Sequence, residues 1–454
     1  MIRYARLFTA CAGLILSGAA VGAEPSLTGA PQAPPGILID KHVRNEVLNS
    51  LTQALESRYV LPDTATKLAA AVRAKQKAHA YEKVLTAPEL ARVLTDDLLS
   101  VAHDKHLRVT FSRTPMPLSP AGSLSPQMLE ELRKENGAIQ KVEILEGNVG
   151  YMRVNGVPPV EAARSAIAAA FAFLHNTEAL IIDDRGNGGG DPNTVAVYVS
   201  YLSEGKPFVV NRFHWREDNR VEEFKTTELG ERSYGAQKPV FVLTSPMTFS
   251  GGEELAYDLQ ALKRAVIVGE VTGGGANPAT PVMIGHQFVV AMPTAQGINP
   301  ITGTNWERVG VLPDVPVAAT DALARAHALA IDRLLSMTSD PVARAEIEGA
   351  SMKLETIEEA ESGKGIRLSN SELVGAYAPE SIAGTTMYIV EKDGRLMRWV
   401  DNGVPEHTLI HLNGNRYGLE GLPDGFVLSF RSNHGRVELL SEEPSRAPVI
   451  RVKR

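Results

Sequence analysis

Cysteine is all but missing from this chain, with only Cys11 in 454 residues. It lies in an N-terminal segment with a basic start at Arg3 and Arg6, an apolar stretch over residues 7–20 and the small residues Val21-Gly22-Ala23, where a signal peptidase would cut. Residues 1–23 therefore read as a signal peptide, and too little apolar sequence precedes Cys11 for a lipoprotein anchor. The mature chain then carries no thiol, which excludes cysteine nucleophiles, disulfides and cysteine-based zinc sites. Long apolar runs are missing too: residues 7–20 are short for a membrane span and no later stretch is longer, so no integral membrane segment is expected in the mature chain. Nor is there an excess of basic residues. The formal charge is −7 and becomes −9 without Arg3 and Arg6, which argues against a nucleic-acid partner. The expectation is an exported protein, periplasmic or extracellular. Its oligomeric state is not legible.

A hydrophobic fraction of 44% against 22% charged residues is a globular balance, and the length suits two or three domains. Residues 24–36, rich in Pro, Gly and Ser, read as a leader. Val43, Val47, Leu48, Leu51 and Leu55 recur at helical spacing, as do Leu90, Val93, Leu94 and Leu98. Leu107, Val109 and Phe111 alternate with His106, Arg108 and Thr110, the pattern of a half-buried strand. Residues 38–112 thus form an N-terminal helical subdomain ending in a strand. Between 142 and 336 apolar strands alternate with helices, an α/β pattern. Residues 340–366 read as a charged linker. Beyond it Lys392-Asp393-Gly394, Asn413-Gly414, Asp424-Gly425 and His434-Gly435 mark tight turns, so residues 367–454 read as a small antiparallel β domain. No internal repeat is evident.

Three stretches bear on chemistry. Asp184-Arg185-Gly186-Asn187-Gly188-Gly189-Gly190 follows a buried strand and offers bare backbone. It lacks the Gly-Lys-Ser/Thr ending of a phosphate loop and the spacing of a dinucleotide loop, so no cofactor is expected. Thr248-Phe249-Ser250-Gly251-Gly252-Glu253-Glu254 sits between a strand and a helix. Ser250 and Glu253 fit a capping box. Gly251 and Gly252, however, cost about 1 kcal/mol each in a first helical turn relative to Ala, which suits a serine whose neighbouring N–H groups face a developing oxyanion. Thr248 stands where an α/β-hydrolase elbow has Gly. The third stretch is the base. Spacing does not choose among eleven histidines; His407 and His411 are four apart but in a β context and without a following Glu, so no metal is expected there.

Taken together, and in order, the run from Ala102 to Val109, Gly147-Asn148-Val149-Gly150-Tyr151, the 184–190 loop, the 248–254 turn, Gly269-Glu270-Val271-Thr272-Gly273-Gly274-Gly275 and the run from Trp306 to Val315 resemble the tail-specific/tricorn-type serine peptidases. The likeness is nearest to the branch containing the modules of interphotoreceptor retinoid-binding protein, and spans roughly residues 38–335. It implies a crotonase/ClpP-like α/β core with an N-terminal helical bundle, and a serine-type peptidase acting on peptide or protein substrates. Ser250 would be the nucleophile, His106 the base, Glu307 the supporting acid, and the Gly251 and Gly189 amides the oxyanion hole. The lysine base of the tail-specific branch has no counterpart, since Gly275 holds its position. Where tricorn-type sites have a serine before the histidine this chain has Lys105, so Asp104 is a second candidate to orient His106. The C-terminal β domain resembles lipocalin-like modules. The same fold in retinoid-binding relatives implies, as an alternative, a non-catalytic binder of apolar ligands, and the same residues would also serve an esterase.

Overall fold

A computed structural model describes residues 37–113, 125–229, 233–363, 365–379, 385–400, 404–444 and 448–454. The expected signal peptide and leader lie outside the described residues. The chain divides into two compact units: one holds the residues up to 142, 152–176 and 182–322, the other 143–151, 177–181 and 323–454.

The first unit opens with α1 (Lys41–Arg58), α2 (Pro62–Lys77) and α3 (Ala87–Ala102). Asp40 caps α1 by accepting the Val43 N–H, and α2 and α3 each carry Pro in the first turn, where its missing N–H is no loss. The chain then runs through β1 (Arg108–Phe111), α4 (Pro126–Lys134), β2 (Ile139–Leu145), β3 (Val149–Val154), α5 (Val160–Leu174), β4 (Ala179–Asp183), α6 (Pro192–Tyr201), β5 (Val209–Trp215), β6 (Val221–Lys225), β7 (Val240–Thr244), α7 (Gly251–Ala261), β8 (Val266–Gly269), β9 (Ala279–Met283), β10 (Phe288–Pro293), β11 (Ala295–Ile298) and β12 (Val315–Pro316). A six-stranded sheet has the order β12-β8-β7-β4-β3-β2, and two small sheets have the orders β1-β10-β9 and β11-β5-β6. Strands β4 and β7 are buried along their whole length, as their unbroken apolar sequences require. Leu48, Leu51 and Leu55 of α1 and Leu90, Leu94 and Leu98 of α3 share one core with Phe288, Val290 and Met292 of β10. Strand β1 pairs with β10 across about 180 residues of sequence, Val109 opposite Val290. The N-terminal helices therefore fold onto the strands of the α/β part.

The second unit contains α8 (Ala322–Met337), α9 (Pro341–Ser362), α10 (Asn370–Leu373) and eight strands: β13 (Gly375–Ala378), β14 (Met387–Lys392), β15 (Arg395–Val400), β16 (Val404–Asn413), β17 (Arg416–Leu419), β18 (Val427–Asn433), β19 (Arg436–Glu442) and β20 (Val449–Lys453). Helix α9 corrects the expected linker. Asp340 accepts the Ala343 N–H as its cap, Pro341 opens it, and Gly363 closes it in the left-handed conformation. Ile347, Gly349, Ala350, Met352 and Thr356 are its buried residues. The expected β domain is a closed barrel, with neighbours in chain order and β13 sealing against β20 at Tyr377↔Lys453. Asp393-Gly394 and His434-Gly435 turn its hairpins with positive φ throughout. Tyr377, Ile389, Leu396, Tyr417, Phe430 and Leu439 form its core. Eight strands leave an interior that side chains can fill. Among the described residues no helix is long and apolar enough to cross a membrane.

Candidate active site

Strand β7 delivers Ser250 to the N-terminus of α7, and its neighbour β4 delivers the 184–190 loop beside it. Three hydrogen bonds zip the two connections together: Ser245 Oγ to Arg185 O at 2.6 Å, Thr248 Oγ1 to Asp184 O at 2.8 Å, and the Phe249 N–H to Asn187 O at 2.9 Å. Ser250 leaves this zipper with φ 53° and ψ −121°. A side chain held there costs roughly 1–3 kcal/mol, a strain that such turns store to present a nucleophile.

The glycines have a sharper reason than helix propensity. A Cβ on Gly189 would fall 2.7 Å from both Ser250 Cβ and Gly251 N, and one on Gly251 would fall 2.8 Å from Val157 Cγ2 and 2.9 Å from Gly190 N. The two backbones therefore touch directly, which no other residue type allows. The Gly189 N–H itself is taken: it donates to Asn187 Oδ1 at 2.9 Å, and Asn187 Nδ2 in turn donates to Asp184 Oδ1 at 2.7 Å. The Gly190 and Gly251 N–H groups have no acceptor among the described residues. The expected donor Gly189 is thus engaged within its own loop, while the next N–H along, that of Gly190, is not.

Glu253 makes half of the expected capping box and much more. Its fully buried carboxylate accepts the Ser250 and Gly275 N–H groups on Oε2, both at 2.8 Å, and Thr272 Oγ1 at 2.5 Å and the Gly274 N–H at 2.6 Å on Oε1. Burial pushes this carboxyl up, and the four donors pull it back. Glu253 thus ties the Ser250 backbone to the 272–275 loop. Glu253→Gln would turn an amide N–H toward two of these donors. The variant is expected to lose about 2–3 kcal/mol of stability, read as a lower urea midpoint at unchanged slope.

That loop leads to the histidine. His106 packs its ring on Phe249, the residue before Ser250, with centroids 4.6 Å apart, and a Cβ on Gly275 would fall 2.8 Å from His106 Cε1. The imidazole thus lies against the position where the tail-specific branch carries its lysine. Lys263 sits beyond the far end of the eleven-residue α7, some 16 Å from its start. Lys105 reaches over to donate to Gly273 O at 2.6 Å, a second tie between the histidine's segment and the same loop. His106 lies in the turn before β1 rather than on the strand's outward face, with its Nδ1 buried.

Asp104, His106 and Glu307 come together, with one donor atom of each within 4.8 Å of the others. Asp104 spends both oxygens: Oδ2 accepts the Tyr59 hydroxyl at 3.0 Å and Oδ1 the His106 backbone N–H at 3.1 Å. Glu307 spends one, Oε2, on the Ala276 and Asn277 N–H groups at 2.8 and 3.1 Å. Glu307 Oε1 and His106 Nδ1 are buried without a partner among the described residues. Burial lowers the His106 pKa to about 4, so the ring is neutral at physiological pH, with a nitrogen lone pair able to accept a proton. Burial, and then the charge of Asp104, pushes Glu307 up to about 7, and burial raises Asp104 too. Tyr59, Asn187 and Phe249 are the members that sequence reasoning missed.

Residues 148–317 match the model of Peptidase family S41, and residues 37–146 match the N-terminal domain of Peptidase_S41 in eukaryotic IRBP. A carboxy-terminal-processing protease of Bartonella bacilliformis is 28% identical over 180 residues, 38% of this chain and 39% of its own length. Carboxyl-terminal-processing peptidase 2, chloroplastic, of Arabidopsis thaliana is 28% identical over 173 residues, 37% of this chain and 32% of its own. The chain thus spans under two fifths of the length of these curated relatives. Mature CPAF superposes with a TM-score of 0.43 at 13% identity, covering 67% of this chain and 97% of that one. With both family models matched in sequence order over 37–317, this chain belongs to peptidase family S41.

Proposed function

We propose that the protein is a serine peptidase in which Ser250 attacks a peptide carbonyl with His106 as general base. The observation that carries this reading is the convergence of a strained serine at a helix N-terminus with a buried, neutral imidazole one residue's ring away. His106 takes the Ser250 proton, the Oγ adds to the carbonyl, and the Gly251 and Gly190 N–H groups hold the oxyanion. His106 then passes the proton to the leaving amine, and water releases the acyl group by the same route in reverse. Glu307, with one oxygen uncommitted, supports the imidazolium, while Asp104 fixes the His106 backbone.

An esterase would use the same groups, so turnover of matched peptide and ester substrates separates the two readings. Cleavage of the peptide bond as well as the intrinsically more reactive ester supports the peptidase, and turnover of the ester alone supports the esterase. A binder of apolar ligands needs a cavity at the site. Of the cavities that form among the described residues, one lined by Ser203, Lys206 and Thr226 and one lined by Thr356, Gly414 and Phe430 lie away from Ser250. Two carboxylates and an imidazole are also a donor set for a divalent cation. The expected result is peptide hydrolysis unchanged by EDTA; hydrolysis lost to EDTA and restored by a metal would replace this mechanism with a metal-dependent one. Export to the periplasm or the extracellular space and action on peptide or protein substrates belong to the same proposal. Finding the intact N-terminal segment on protein recovered from the cytosol would contradict the first.

A further inference from the structure

Helix α7 starts at the nucleophile and also carries a buried acidic pair. Glu254 and Asp258 lie one turn apart on one face, both fully buried, and Glu254 Oε1 and Asp258 Oδ2 have no partner among the described residues. The Asn211 side chain lies against Glu254, and the charge of Glu254 bears on Asp258. Burial pushes Glu254 up to about 8 and Asp258 well above the usual carboxylate range, so the pair keeps a proton at neutral pH.

The other Asp258 oxygen looks outward along a chain of contacts. Oδ1 accepts the Asn299 Nδ2 at 2.8 Å. Asn299, itself buried, accepts the Ile301 and Thr302 N–H groups on Oδ1 at 2.9 and 3.1 Å, and its backbone closes the same turn through Thr304 O and the Gly303 N–H, both at 3.0 Å. Tyr257, next to Asp258, meets Thr302 Oγ1 at 3.0 Å and lays its ring 5.1 Å from that of Trp306. Trp306 donates to Gly275 O at 3.0 Å, and the next residue is Glu307.

We propose that Asp258 and Asn299 are positioning residues for the peptidase reaction, bolting the loop that carries Glu307 to the helix that begins at Ser250. This rests on Glu307 being the acid that supports His106. The bolt makes the distance between nucleophile and acid a property of one helix face rather than of a free loop. Asp258 serves as acceptor for Asn299 through Oδ1. Asparagine keeps that acceptor, whereas alanine removes it.

The test is kcat and KM against pH for the full mature chain as wild type, Asp258→Ala, Asp258→Asn, Asn299→Ala, Glu307→Gln and the double variant Asn299→Ala/Glu307→Gln, each checked for a cooperative unfolding transition. Displacing an acid by about 1 Å costs on the order of 10²-fold, so Asn299→Ala and Asp258→Ala are expected to lose that much in kcat with KM within about threefold of wild type. Asp258→Asn keeps wild-type kcat. In Asn299→Ala the acid limb of kcat/KM moves to lower pH, because a loosened Glu307 gains water while Asp104, His106 and Arg308 around it are unchanged. The double variant is no slower than Glu307→Gln alone. The proposal is overturned if Asn299→Ala keeps wild-type kcat while Glu307→Gln loses it. Multiplying losses in the double variant with an unmoved acid limb would overturn it too, since that is the signature of general weakening. Wild-type kcat in Glu307→Gln removes the reading beneath it, and the proposal falls with that reading. If Asp258→Ala fails to fold, Asn299→Ala and Asp258→Asn decide the matter.

Discussion

Ser250→Ala is expected to lower kcat for peptide hydrolysis by roughly 10⁴–10⁶-fold, the loss seen when the nucleophile of a cooperating Ser-His-acid group is removed. The size of the effect follows from what the substitution leaves alone. Alanine keeps the Cβ that packs against Gly189, and the Ser250 N–H bond to Glu253 is a backbone bond, so the zipper between the 184–190 loop and the 245–250 turn persists. The strain at φ 53° is the same for both residues, because it arises from the Cβ. Stability should therefore change by less than about 0.5 kcal/mol, and a lost activity with an unchanged urea midpoint assigns the effect to chemistry. His106→Ala should match it in kcat, because members of such a group act as a unit.

Glu307→Gln is the second large effect, and its signature is in pH. Glu307 must be ionised to stabilise an imidazolium, and burial together with Asp104 holds its pKa up at about 7. The charged form is thus lost as pH falls through that value, well above the point where His106, held down to about 4 by burial, would itself take up a proton from solvent. Wild-type kcat/KM should rise through a single ionisation near 7. In Glu307→Gln that limb should vanish, with the plateau lower by about 100-fold or more, since a neutral amide can orient the ring but cannot offset its charge. A profile unchanged in shape and height would assign the role to Asp104 instead.

Much of this was legible because it is local. A buried strand, a serine, two glycines and a glutamate in seven consecutive residues describe a strand-to-helix turn whatever surrounds it, and Ser250 and Gly251 sit where that reading puts them. His106 and Glu307 required a family likeness, since no spacing connects residues 144 and 57 positions away from the serine. What stayed hidden depends on partners far along the chain. Tyr59 closes α1 and meets Asp104 only because the helical bundle packs on β10. Asn187 sits between glycines, and nothing in the sequence tells that its side chain takes the Gly189 amide. Glu253 read as a cap, and its other donors come from a loop some twenty residues later. Helix α9 was missed for a different reason: its Asp340-Pro341 start and Gly363 stop were present, but the charge density of 341–362 masked the sparse apolar positions at Ile347, Ala350 and Met352.

The central claim is that Ser250 is a nucleophile activated by His106. The most direct measurement is reaction of the mature chain with a fluorophosphonate, followed by mass spectrometry of the digested protein. A single phosphonylated residue at Ser250 in the wild type, and its loss in His106→Ala that still unfolds cooperatively, is the result this account predicts. An adduct on another residue, no adduct in the active wild type, or undiminished labelling of Ser250 without His106 would contradict it.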